Sequence, residues 1–112
     1  IAPKAAKMLC EVYGSRPEDI CAAIGPSIGK CCFEVGGEVA EIFEEKYRFP
    51  KENGKFTVDL QAKIRDMLAE CGVPAQNIDI FGLCTVCSGE KLFSYRRQKS
   101  GAGRMGAFIM LK

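Results

Sequence analysis

An α+β fold, with mixed β layers flanked by helices, is what this sequence predicts, and three observations carry it. Apolar residues recur at helical spacing in two stretches, one near the N-terminus and one over residues 60–71. Short apolar runs bounded by glycine and proline lie between and after them, too brief for helices. No segment repeats, and no linker is long enough to divide 112 residues into two domains.

Taken in order, residues 2–13 place Ala5, Met8, Leu9 and Val12 on one helical face, and Gly14 supplies the stop. Pro17, Glu18 and Asp19 turn the chain into the apolar run 20–24, a buried strand that ends at Gly25-Pro26. The stretch "GPSIGKCCFEVGGEV" holds four glycines and a proline, which demands a sharply bent loop. A helix starting near Gly37 follows, with Val39, Ile42, Phe43 and Tyr47 inward and acids crowding its positive end. Phe56, Thr57 and Val58 are extended. Asp59 then caps a helix over 60–71 that turns Leu60, Ile64, Met67, Leu68 and Cys71 to the core, and Gly72 and Pro74 end it. Residues 77–83 read as a strand that delivers Cys84 and Thr85 at its end. After a loop at Ser88-Gly89-Glu90, residues 92–95 are extended again, "KSGAGR" is a flexible hinge, and 105–111 closes the chain as a buried strand. The count is four or five strands and three helices.

Composition narrows the function. With 47% hydrophobic residues the chain can fill a single core, and no apolar stretch is long enough to span a membrane. Seven cysteines, an odd number without a secretory segment, fit reduced thiols in the cytoplasm better than a disulfide framework. The net charge of +2 hides an asymmetry. Residues 1–90 hold ten basic against fourteen acidic side chains, whereas Lys91, Arg96, Arg97, Lys99, Arg104 and Lys112 face no acid in the remainder. Such a stretch suits a small anionic ligand and is too short and too apolar for a nucleic-acid surface.

Histidine is absent, which removes the commonest general base and the commonest metal ligand together. Cys31-Cys32 with the Cys84-x-x-Cys87 pair would offer four thiolates, but adjacent cysteines differ from the paired Cys-x-x-Cys knuckles of all-cysteine zinc sites. A redox pair would open a helix, and Ser88-Gly89 follows instead. On spacing, then, neither the zinc nor the redox reading of Cys84-x-x-Cys87 is favoured. Arg96, Arg97 and Arg104 beside glycine-rich backbone are the stronger group, since guanidinium forks grip phosphate or carboxylate bidentately. Solvated charges paired with the acidic part of the chain are the alternative. On a strand Arg96 and Arg97 point to opposite faces, so one of them at most meets a given ligand. "GPSIG" lacks the lysine and hydroxyl of a phosphate loop and reads as a structural turn.

Three segments together resemble a known family. "AAIGPSIGKCCFEVGGEV", "VDLQAKIRDMLAECGV" with "NIDIFGLCT", and "FSYRRQKSGAGRMGAFIML" are similar, in order and spacing, to the C-terminal part of the YfiH-like proteins, also called laccase-domain or multicopper polyphenol oxidase proteins. The likeness covers residues 22–111. It implies an α+β fold, with residues 1–112 forming the C-terminal half of one such domain. It implies phosphorolysis of adenosine, inosine or methylthioadenosine, with adenosine deamination in some members and an older polyphenol oxidase label. It implies zinc or copper in the complete enzyme, held by two histidines and a cysteine upstream, so that this part alone binds no metal and is inactive. Substrate contacts are expected from Arg97, Arg104, Arg96 and Cys84, and no catalytic or metal-ligating residue is expected here. Purine nucleoside, phosphate and the missing half are the implied partners, with neither nucleic acid nor membrane among them. Ala102 stands where the family commonly has threonine, and the resemblance matches Cys84-Thr85 to a strand end but gives Cys87 no counterpart, which implies that Cys87 is incidental and Cys84-x-x-Cys87 no functional unit. An inert binding module and a cysteine-only zinc module are the competing readings, and an exposed apolar surface would make self-association a further expectation.

Overall fold

The computed structural model describes residues 1–111; Lys112, counted above among the basic residues, lies outside them. The elements are helix α1 (Ala2–Glu11), strand β1 (Ala22–Ile24), strand β2 (Glu34–Val35), one-turn helix α2 (Gly37–Ala40), strands β3 (Arg48–Pro50) and β4 (Phe56–Val58), helix α3 (Leu60–Glu70), strand β5 (Ile78–Ile80) and short helix α4 (Tyr95–Gln98). β1 and β5 pair in parallel, with Ala22 opposite Ile78 and Ile24 opposite Ile80. β2, β4 and β3 form a separate antiparallel sheet with β4 in the centre. The mixed α+β prediction holds.

Helix α3 shows how local chemistry sets these bounds. Asp59 accepts a hydrogen bond from the Ala62 N–H at 3.0 Å, satisfying one orphan donor of the first turn. At the other end Gly72 adopts φ +90°, its N–H reaches the Ala69 carbonyl, and the Val73 N–H reaches the Leu68 carbonyl, a Schellman ending. A Cβ at Gly72 would lie 2.9 Å from the Pro17 ring, so close packing adds a second reason for glycine. The helix buries Leu68 with Ala6, Val73 and Ile78, and Ile20, Ile24, Ile64 and Cys71 pack around that cluster.

Ala40, Tyr47 and Val58 are buried as well, outside that cluster. Tyr47 is 2% exposed, and its hydroxyl donates to the Asp66 carboxylate of α3 at 2.7 Å. That hydroxyl foremost, then Arg65 and, against an opposing partial burial, Lys46 hold the Asp66 carboxyl down to about 2. A carboxyl held below its ordinary value stabilises the fold above that value and loses its contribution as pH falls through the depressed one. Tyr47→Phe is expected to lower Tm by about 5 °C at neutral pH, the order of one net hydrogen bond in a chain this size. The gap between parent and variant should narrow as pH drops from about 4 to about 2, read by thermal melts across that window.

Several expectations are corrected. The helix expected from Gly37 through Tyr47 stops after one turn; residues 45–47 form a 3-10 turn and the chain continues as β3. Glu38, Glu41 and Glu45 would stack at spacings of three and four on a longer helix, and their repulsion opposes it. In α1 the predicted stripe of Ala5, Met8, Leu9 and Val12 is exposed, and Ala6 is the buried position. Residues 92–95 are not a strand, because Ser94 caps α4 by accepting the Arg97 N–H. Residues 105–111, expected as a buried strand, form no regular element and find no pairing partner among the described residues; Phe108 is 99% exposed.

Candidate functional site

The parallel pairing of β1 and β5 continues past both strand ends and brings two loops together. The Phe81 N–H donates to the Ile24 carbonyl, the Ser27 N–H to Leu83, and the Thr85 N–H back to Ser27, with Ser27 bridged to Cys84. Between these points the second segment carries one residue more than the first, and Gly82 at φ +73° takes up the excess as a bulge. Gln61 of α3 donates to the Ser27 hydroxyl at 2.9 Å and pins the first loop.

Beyond the bridge both loops curl. The Cys32 and Phe33 N–H groups both reach the Gly29 carbonyl, so residues 29–33 form a helical turn. Neighbouring side chains there diverge by about 100° rather than the 180° of a strand, which lets Cys31 and Cys32 face the same side. In the second loop the Ser88 N–H and hydroxyl close on the Cys84 carbonyl, and Cys84 and Cys87, three apart on that turn, share a face. The four sulfurs lie within 4.8 Å of one another. Cys87 Sγ is 3.3 Å from Cys32 Sγ and 3.5 Å from Cys31 Sγ.

This placement changes the standing of Cys87, which the family resemblance made incidental: its sulfur sits among the other three. The objection from sequence is that adjacent cysteines do not easily both reach one tetrahedral ion, and the turn at 29–33 answers it by bringing both sulfurs toward Cys87. Gly29 approaches so closely that a Cβ there would stand 3.2 Å from Cys84 Cβ and 3.3 Å from Cys31 Sγ. Cys84 is electrostatically distinct. Partial burial pushes its thiol up, but the N–H groups of Cys87, Gly29 and Val86 outweigh that and hold it down to about 6. The Gly29 N–H lies 3.3 Å from its sulfur. The Cys87 contact, followed by burial, pushes Cys32 up to about 12. Cys31, Cys84 and Cys87 also line a hollow of about 570 Å³ with Leu83, Ser88 and Lys91.

The arginines divide differently from the strand picture. Arg97 lies on α4 and spends its guanidinium on backbone: one terminal nitrogen donates to the Thr85 and Val86 carbonyls at 2.7 and 2.8 Å, the other to Leu92 at 2.7 Å. Arg96 turns away, donates to the Glu34 carbonyl at 2.9 Å and lies 5.7 Å over the Phe33 ring. The two diverge through helical spacing and not through a pleat. Arg104 is exposed and, among the described residues, has neither a hydrogen-bond partner nor an ion pair. Its neighbour Gly103 lies so near Phe93 that a Cβ would meet the ring at 2.6 Å, which seats the segment against α4's approach.

The entire chain, residues 1–112, matches the family model described as multi-copper polyphenol oxidoreductase laccase. The chain belongs to this laccase family. It is 41% identical over 106 residues to a purine nucleoside phosphorylase YfiH of Escherichia coli, which covers 88% of this chain and 42% of that protein. It is 38% identical over 112 residues to an adenosine deaminase RL5 from an unknown prokaryotic organism, covering 93% of this chain and 42% of that one. The crystal structure of YlmD from Geobacillus stearothermophilus superposes with a TM-score of 0.79 at 30% identity, over 87% of this chain and 38% of the other. This laccase-family chain therefore spans about two fifths of the length of the relatives it matches. No helix among the described residues is long and apolar enough to cross a membrane. The family's name hints at metal use, but with no histidine in the sequence these residues do not fit a histidine-ligated copper centre. The donors that the fold does gather are thiols alone.

Proposed function

We propose that this chain is the C-terminal part of one laccase-type domain that acts, when complete, as a cytoplasmic purine nucleoside phosphorylase on adenosine, inosine or methylthioadenosine. The observation that carries this reading is the 41% identity to a protein named for that activity; the identity to a protein named adenosine deaminase supports a deaminating side activity. Zinc or copper, with its ligands and the general base, belongs on this reading to the remaining part of the protein, and this part alone turns nothing over.

In phosphorolysis a phosphate oxygen bonds to the anomeric carbon while the glycosidic C–N bond breaks and its electron pair leaves with the purine. The reaction needs a cation to hold phosphate beside an oxocarbenium-like sugar. Arg104 suits that task because it is exposed and without a partner among the described residues. Arg97, with both terminal nitrogens on carbonyls, shapes the wall that carries Cys84, and Arg96 braces that wall against Phe33. In the full-length protein, Arg104→Ala should raise the phosphate KM or lower kcat by roughly 10-fold to 100-fold, the worth of one guanidinium-phosphate contact. Steady-state kinetics at varied phosphate decides it, and unchanged phosphorolysis would remove Arg104 from the site.

A further inference from the structure

We propose that Cys31, Cys32, Cys84 and Cys87 form a tetrathiolate site for a single Zn²⁺ that staples the 29–33 turn to the 84–88 turn. The sulfur separations suit one ion bound by all four. Zn–S bonds of about 2.3 Å place the sulfurs of a four-thiolate zinc site about 3.8 Å apart. Here two of the separations are 3.3 and 3.5 Å, and all lie within 4.8 Å. Spacings this short leave room for one ion between the sulfurs and not for a multinuclear cluster. The 3.3 and 3.5 Å separations are also well beyond the roughly 2.05 Å of a disulfide, and all four cysteines are free.

The donor set selects the ion. Four thiolates with no imidazole or carboxylate are a soft set, and tetrahedral coordination by sulfur is the signature of zinc or of iron-sulfur chemistry. Room for one ion favours zinc. Supporting contacts are also in place. The Gly29 N–H points at Cys84 Sγ at 3.3 Å, and Arg97 fixes the Thr85 and Val86 carbonyls of the turn that presents Cys84 and Cys87. Glycine at 29 is the residue that lets the two turns close, since a side chain there would press on Cys31 and Cys84. Fifty-odd residues separate the two cysteine pairs, so the ion would close a long loop between them. Its role is structural: all four positions are filled by protein, which leaves no open coordination site for chemistry.

The experiment counts metal on the full-length protein, purified without chelator, beside its Cys32→Ser/Cys87→Ser variant. The parent should hold one zinc equivalent more than the variant, and its cobalt-substituted form should show the intense visible bands and thiolate charge transfer of tetrahedral sulfur ligation, absent from the variant. Gly29→Ala, which removes no ligand, should weaken zinc binding about 10-fold to 100-fold in a chelator competition. Equal metal content in parent and variant overturns the site, as does a parent that lacks the cobalt signature. A disulfide among the four thiols, found by alkylation and mass measurement of the parent, overturns it, and iron in place of zinc overturns the assigned cation. None of these readouts depends on turnover, so failure of the phosphorylase reading leaves the metal count to stand or fall alone.

Discussion

Arg97→Ala is expected to loosen the whole segment from Cys84 to Gln98 and to lower stability by about 3 kcal/mol. The wild-type guanidinium reaches the carbonyls of Thr85, Val86 and Leu92 at once, from a position on α4 that Ser94 caps and Gln98 braces through the Ser94 N–H. Each hydrogen bond from a charged donor is worth about 1.5–3 kcal/mol net, and because the three share one group and water can reach part of the loop, the sum is discounted to about 3. Lysine cannot substitute. Its single ammonium has no planar fork with which to meet carbonyls on two sides, so Arg97→Lys should recover less than half of the loss. Urea unfolding gives the stability change, and hydrogen exchange should show faster exchange at Ser88 and Lys91, whose N–H groups close the turns that Arg97 holds. Exchange there unchanged from the parent would mean that the loop is held by something other than this side chain.

How much of this was legible in the sequence depends on what each residue had to express. Asp59, Gly72 and the apolar positions of α3 report their local task directly, and the helix appears within a residue of where capping chemistry puts it. Parallel pairing of β1 with β5 was not legible, because it joins residues 56 positions apart and period-2 patterning is silent about partners. The thiol cluster stayed hidden for a related reason. Motif spacing measures separation along the chain, whereas Cys31 and Cys32 meet Cys87 through two tight turns held in register by the Ser27–Cys84 bridge. The signal that was available is Gly29, a glycine two residues before a cysteine pair, which marks a close approach of backbone to something. Arg96 and Arg97 were misplaced on a strand because Phe93 and Tyr95 suggest β structure, while Ser94 between them is the cap that starts α4.

Produced as these 112 residues alone, the chain is expected to self-associate, and two charges in its last segment should reverse most of that. Phe108, Ile109, Met110 and Leu111 are almost fully exposed along a stretch whose backbone pairs with nothing among the described residues. Met8 and Leu9 of α1, with Val12 at its C-terminal cap, add a second apolar face. Burying a side chain of this kind is worth about 1.5–3 kcal/mol, so four from each of two copies outweigh an association cost of about 4–15 kcal/mol over much of its range. An unpaired extended segment also offers its amides and carbonyls to a neighbouring copy. In the longer relatives, more than half of the chain lies outside the matched region, and on the proposed reading that part covers the same surfaces. Sedimentation at micromolar concentration should therefore show species larger than one chain. Phe108→Glu with Ile109→Lys, which places one charge on each side of an extended backbone, should weaken association at least about 100-fold, and adding back the remaining part of the domain should suppress it without any substitution. A parent that stays monomeric and binds no hydrophobic dye would show that residues 105–111 fold back onto this chain after all, most readily against the open face of α1.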